Sequence, residues 1–154
     1  MPPGGLVKVT SFALLLAAGC AQSITNFAGT YSGSLTETFT CETASPPPFQ
    51  TAETFTVSQL GPAVIVAIGS CTGQSVGGDS SGNRVTLTPS SQTISPCQQI
   101  GTDAGVVINV TGFSGGTLTL ESGGNLQVSL MQNATTNGGS NACTGAAAGS
   151  LMLQ

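Results

Sequence analysis

The stretch Thr30 to Cys41, TYSGSLTETFTC, decides the fold. Tyr31, Gly33, Leu35, Glu37, Phe39 and Cys41 take one set of alternate positions, and Thr or Ser fills every position between them. A period of two is the signature of a strand whose faces meet different surroundings, because successive side chains point to opposite sides. The same alternation returns in ETFTVSQL, Glu53 to Leu60, where Phe55 and Val57 are separated by Thr and Ser. AVIVAIG, Ala63 to Gly69, is continuously apolar and reads as a strand covered on both faces or shielded inside a sheet centre, joined to its predecessor by a Gly61-Pro62 turn.

Further along, short strands are expected at Arg84 to Pro89, Gln92 to Cys97, Val106 to Thr111, Thr117 to Glu121, Leu126 to Met131 and Gly149 to Leu153. SGGN, Ser122 to Asn125, is a hairpin turn, since Gly and Asn accept the positive backbone angles such turns demand. Ser45 to Pro48, Gly73 to Asn83 and Thr135 to Asn141 read as long loops. No segment shows helical spacing of apolar residues. The expected fold is all-β: one antiparallel sandwich or small meander barrel of about 8 to 9 strands.

Composition narrows the function. Of 154 residues only 5% are charged, against roughly 25% in an average soluble protein, and Gly takes 22 positions. Lys8 and Arg84 are the only basic residues, and there is neither His nor Trp. A basic surface that tracks phosphates cannot be built from two cations, so no nucleic-acid partner is expected. Nor can a serine nucleophile find its usual base. Hydrophobic residues make up 39%, enough to argue against charge-driven disorder.

The first twenty residues, MPPGGLVKVTSFALLLAAGC, place one charge, Lys8, before an apolar stretch too short to span a bilayer as a helix. The sequence Leu16-Ala17-Ala18-Gly19-Cys20 resembles the lipobox of bacterial lipoproteins. That resemblance implies that residues 1–19 are a signal peptide, cut after Gly19, and that Cys20 carries acyl chains as membrane anchor. Two or three acyl chains hold far more firmly than one. Residues 20–26 would then be the acylated Cys and a short tether, and 27–154 the domain. Ala21, rather than Asp, follows the Cys, which in enteric bacteria favours the outer membrane. The expected location is therefore the cell envelope, lipid-anchored at the outer membrane.

Removing Cys20 leaves Cys41, Cys71, Cys97 and Cys143, an even number in an exported chain, which reads as two disulfides with three possible connectivities. Cys41 with Cys71, and Cys97 with Cys143, are the expected pairs, because Cys41 and Cys71 both end strands of the first meander. No C-x-x-C spacing and no His support zinc, and no metal or cofactor is expected.

Other features carry weaker chemistry. Glu37 and Glu53 are the best pair for carboxylate-based glycoside hydrolysis, which needs the two within about 5 to 10 Å in a cleft; the plainer reading has each on a solvent-facing or hydroxyl-rich surface. GGDSSGN, Gly77 to Asn83, alternates Asp79, Ser81 and Asn83 as calcium ligands would, but no acid closes the loop, and a flexible turn is the simpler account. Gly29-Thr30-Tyr31 resembles the G-x-W opening of lipocalin and avidin barrels, with Tyr in place of Trp. That resemblance implies a closed barrel that could hold a small apolar ligand. Thr-x-Thr runs at Thr36, Thr38 and Thr40, at Thr54 and Thr56, at Thr86 and Thr88, and at Thr117 and Thr119 fall at irregular intervals, unlike the fixed repeat of ice-binding ladders. Taken together, a non-catalytic structural or interaction module is expected, recognising an envelope protein or glycan through hydroxyls, backbone edges and loops. The alternative is a calycin-like barrel with a small apolar ligand.

Overall fold

The computed structural model describes residues 24–43, 45–89, 97–101, 106–136 and 141–154, with side chains from 107 onward in the fourth of these segments and none in the third. Nine strands follow one another: β1 (Gly29–Cys41), β2 (Phe49–Leu60), β3 (Ala63–Ile68), β4 (Ser75–Ser81), β5 (Arg84–Leu87), β6 (Cys97–Gly101), β7 (Val106–Leu120), β8 (Leu126–Thr136) and β9 (Asn141–Leu153). Every pairing is antiparallel, and each strand of the series β1 to β5, and of β6 to β9, pairs with its successor. β1 also pairs with β9, and β5 with β7, so eight strands close into a ring. This is a meander barrel, one of the two architectures the alternation allows.

β5 and β6 share one edge of β7. β5 covers Gly116 to Thr119 and β6 covers Val106 to Val110, in the same direction. The two share one strand position of the ring, with residues 88–96 between them in the sequence. Between the two contacts β7 carries register irregularities at Val110/Gly112 and Phe113/Gly115, the bulges by which a strand bends and re-aims its edge.

The alternating residues of β1 point as their period requires. Tyr31, Leu35, Glu37 and Phe39 are buried, while Ser34, Thr36, Thr38 and Thr40 are exposed. The core is the barrel interior, where Phe27, Tyr31, Leu35 and Phe55 meet Val64, Val66, Ile108, Leu118, Leu126 and Leu151. An eight-stranded barrel is just wide enough for side chains to fill it. Filling it evenly requires large residues on one strand to meet small ones on the next, and β1 against β9 shows how. Gly33 faces Leu151, Leu35 faces Gly149, Glu37 faces Ala147 and Phe39 faces Gly145.

That complementarity corrects three expectations. Gly73 to Asn83 is not a long loop: β4 occupies Ser75–Ser81, because its interior Gly78 sits opposite Leu87, whose side chain covers it. β9 runs from Asn141 to Leu153 rather than from Gly149, since the Gly/Ala run supplies the small positions that β1 needs. AVIVAIG is not covered on both faces. Ala63, Ile65 and Ala67 are exposed, because a single-walled barrel has only one interior. The Gly61-Pro62 and Ser122–Asn125 turns lie where expected, and the proline run Pro46–Pro48 lies in the β1–β2 connection. Of the expected strand Gln92 to Cys97, residues 92–96 lie outside the described residues; β6 begins at Cys97.

The expected disulfide pairs are also corrected. Cys41 bonds to Cys143, and the two are directly opposed at the end of the β1–β9 ladder. The expectation rested on nearness along the chain, whereas ring closure puts the first and last strands side by side. Cys71 is disulfide-bonded too, to a sulfur outside the described side chains.

Candidate functional site

The barrel has two chemically different ends and a polar pocket between them. At the leading end lie residues 24–28, the turns at Gly61-Pro62, Gly82-Asn83 and Ser122–Asn125, and the C-terminal residues 152–154. Phe27 is completely buried there and closes the interior. Its N–H donates to Gln59 Oε1 at 2.7 Å, and its carbonyl accepts the Tyr31 hydroxyl at 3.0 Å. Gln59 Nε2 donates to Thr25 O at 3.1 Å, to Gly61 O at 3.0 Å and to Ser80 Oγ at 3.3 Å. The chain preceding β1 is thus sewn to the barrel from Thr25 onward. Tyr31, in the place of the Trp of the G-x-W resemblance, is an interior residue with its hydroxyl toward this end.

In the interior, Glu37 and Glu53 are buried, with Gln132 and Thr136. The plainer sequence reading, in which the two acids face solvent or a hydroxyl-rich surface, is overturned: both have the parity of the core residues of β1 and β2. They line one small cavity with Ser70, Gln132, Phe113 and Leu130. Its volume of about 10 Å³ holds about one water. Thr51 Oγ1 donates to Glu37 Oε1 at 3.3 Å. Neither oxygen of Glu53, nor Gln132 Oε1, makes a hydrogen bond of good geometry. Burial pushes the Glu53 carboxyl above its usual range, partly opposed by the nearby Ser70 hydroxyl and the Ser70 and Thr54 amides.

Glycoside hydrolysis needs two carboxylates flanking a sugar in an open cleft. A cavity sized for one water offers no such access. Ligand pockets of small-molecule carriers run to about 300–1,000 Å³, and this cavity is far below that range. A second depression, of about 580 Å³, lies at the far end beside the Cys41–Cys143 disulfide, over Thr111, Asn133, Thr135 and Thr144. Ala134, Ala142 and the disulfide share its lining with these hydroxyls and the Asn133 amide, Glu42 borders it, and it is largely open to solvent.

Asp79, Ser81 and Asn83 do not converge on a cation. Asp79 and Ser81 belong to β4, and Asn83 ties the β4–β5 turn to β7, its Nδ2 donating to Leu120 O at 3.2 Å while Leu120 N donates to Asn83 O at 2.8 Å. The Thr-x-Thr runs on β1, β2 and β5 are outward and exposed, on a wall that curves round a barrel. Cys20 lies outside the described residues, as does the side chain of Cys97. No family model matches the chain, and no curated protein and no solved structure matches it either.

The buried Glu53 makes stability depend on pH. Its folded-state pKa is raised, so the folded protein binds more protons than the unfolded chain between the ordinary value of 4.5 and the raised one. Stability therefore falls as pH rises through that window and stays lower above it. Glu53→Gln keeps the shape and removes the charge. It is expected to raise neutral-pH stability by roughly 1–3 kcal/mol and to flatten this dependence, read by urea denaturation from mildly acidic to neutral pH. Unchanged or lower neutral-pH stability in Glu53→Gln would contradict a buried, uncompensated carboxylate.

Proposed function

We propose that this protein is a bacterial cell-envelope lipoprotein: a non-catalytic module fixed to the membrane by acyl chains on Cys20. The observation that carries the reading is the lipobox-like Leu16-Ala17-Ala18-Gly19-Cys20, set four residues before a chain that is already sewn to a folded domain at Thr25. The wall of the barrel supports anchoring over spanning. Transmembrane barrels face lipid with an apolar band and keep polar residues inside. Here the order is reversed, with Ser34, Thr36, Thr38, Thr40, Thr54, Thr56 and Ser58 outward and Leu, Val and Phe inward. Such a wall belongs in water, and the lipid would supply the location.

Recognition of an envelope protein or glycan would use this neutral wall and the far-end loops. Ring closure pairs both edges of the eight ring strands over part of their length, and among the described strands β6, paired with β7 alone, leaves an edge that an added strand could occupy. With Arg84 as the one basic residue after Lys8, salt should affect such binding little. The calycin-like alternative gains no support from the water-sized cavity among the described side chains.

Mass spectrometry of the N-terminal peptide from membrane-extracted protein tests the anchor. A peptide beginning at an acylated Cys20 is expected, and Cys20→Ser should abolish both the modification and the cut after Gly19. A peptide beginning at Ala21, or an unmodified Cys20, would replace the anchor with an ordinary secretory signal.

A further inference from the structure

Among the described residues large apolar side chains are scarce on the outside of this barrel, and most of them gather at one end. Ile24 is 56% exposed, Leu60 86%, Met152 60% and Leu153 55%, whereas Ile65 and Met131 sit singly on the wall. Leu60 ends β2, Ile24 lies in the lead-in to β1, and Met152 and Leu153 end β9. These are three consecutive strands of the ring, β2-β1-β9, so the four side chains occupy one arc of the leading rim. Ile24 borders the same depression as Gln59 and Gly61, beside Leu60, and Leu153 lies against Gly29 at the start of β1.

We propose that this arc is a lipid-contact rim: the barrel stands end-on, with Ile24, Leu60 and Leu153 in the headgroup layer of a bilayer and the Cys41–Cys143 end pointing away. This rests on the anchor at Cys20 proposed above. Chain length selects the occupant. Four peptide links separate Cys20 from Ile24, a reach of at most about 14 Å. Thr25 is hydrogen-bonded to Gln59, so the lead-in does not pay out further while the barrel is intact. An anchored Cys20 at the lipid surface therefore keeps the leading end within that reach of the headgroups, and a protein partner would have to enter a gap of that size. No cationic patch draws this end to lipid, because Arg84 begins β5 on the far side of the ring and the other charges at the same end, Asp79 and Glu121, are acidic. Contact should therefore be driven by apolar burial and be insensitive to salt.

The chain has no Trp, so one introduced Trp reports alone. Full-length lipidated Leu60→Trp and Glu42→Trp, the second exposed beyond β1 at the far end, are reconstituted into phosphatidylcholine vesicles containing nitroxide-labelled lipid. Leu60→Trp is expected to shift to the blue on vesicle binding and to be quenched at least about twofold more than Glu42→Trp, as for a side chain buried about 5–10 Å into the interface, with no loss in high salt. Equal quenching of both, or an unquenched Leu60→Trp on protein that still floats with vesicles, overturns the rim. A blue shift without quenching, with cross-linked dimers, assigns the arc to a second copy and also overturns it. Failure of both proteins to float, with no acyl group on Cys20, removes the anchor and the rim with it, and is told apart by the missing modification.

Discussion

Replacing Cys41 and Cys143 together by Ser is expected to cost about 4–5 kcal/mol of folding stability, lowering the melting temperature by roughly 12–20 °C. The bond links residues 102 apart, from the end of β1 to the start of β9. In the chain-entropy account, the benefit of a disulfide grows with the loop it closes in the unfolded ensemble, to about 4.7 kcal/mol for 100 residues. The bond also joins the two strands on which the ring depends. β1 and β9 are the first and last described strands along the chain, and their ladder from Tyr31/Leu153 to Cys41/Cys143 is the seam of the barrel. The double variant avoids a stray thiol that could exchange with the Cys71 bond. Urea denaturation of the oxidised protein and the double variant measures the effect. A non-reducing peptide map must show Cys41 joined to Cys143. A loss under about 1 kcal/mol, or a map joining Cys41 to Cys71, would contradict the seam as described.

The same seam explains what could and could not be read from the chain. Along β1 the period of two placed Tyr31, Leu35, Glu37 and Phe39 on one face, and all four are interior. Local periodicity reports which residues share a face, because each strand obeys it alone. Which strand becomes the neighbour of β1 on its second side depends on closure of the whole ring, and no local pattern carries that. For this reason the local pattern points to Cys41 with Cys71, and closure instead joins Cys41 to Cys143.

Residue type misled the reading where closure imposed its own demand. Gly and Ala are poor strand formers by propensity, so SVGGDSS resembles a loop and ACTGAAA gives no strand signal of its own. In a filled barrel the smallness of Gly78, Gly145, Ala147 and Gly149 is what allows Leu87, Phe39, Glu37 and Leu35 to lie inside. The acids were misjudged in the opposite sense. Glu37 and Glu53 stand at core parity, as the alternation shows, yet carboxylates are almost never fully buried without partners, so solvent was the natural expectation. Their burial makes a polar pocket at the barrel centre that composition alone does not announce. The lipobox resemblance at Cys20 is a linear pattern and does not depend on the fold that follows; it stands as a proposal for the N-terminal peptide to test.

Gly149→Ala should be among the most damaging Gly→Ala substitutions at the described positions, with Gly78→Ala and Gly116→Ala, which meet partner-strand backbone as closely; its cost is expected to be about 3 kcal/mol. A Cβ at Gly149 would stand 2.5 Å from Ser34 O, 3.0 Å from Leu35 Cδ2 and 3.2 Å from Leu35 Cα. Two of these atoms are backbone of the paired strand, so no rotamer change clears the methyl; β9 must move away from β1. Gly33 makes the reciprocal approach, its Cβ position lying 2.7 Å from Ser150 O. Gly145 provides the discriminating comparison. There the nearest obstacles all belong to the Phe39 ring, a side chain. Gly145→Ala should therefore be strongly coupled to Phe39→Leu, each substitution relieving part of the other's cost. Gly149→Ala should be rescued little by Leu35→Ala, because Ser34 O stays in place. Gly123→Ala, with nothing within 4 Å of the new atom, sets the baseline within about 0.5 kcal/mol of the unaltered protein. Double-mutant cycles on urea midpoints measure both couplings. A Gly149→Ala cost as small as that of Gly123→Ala would mean that β1 and β9 do not approach closely enough to close the ring.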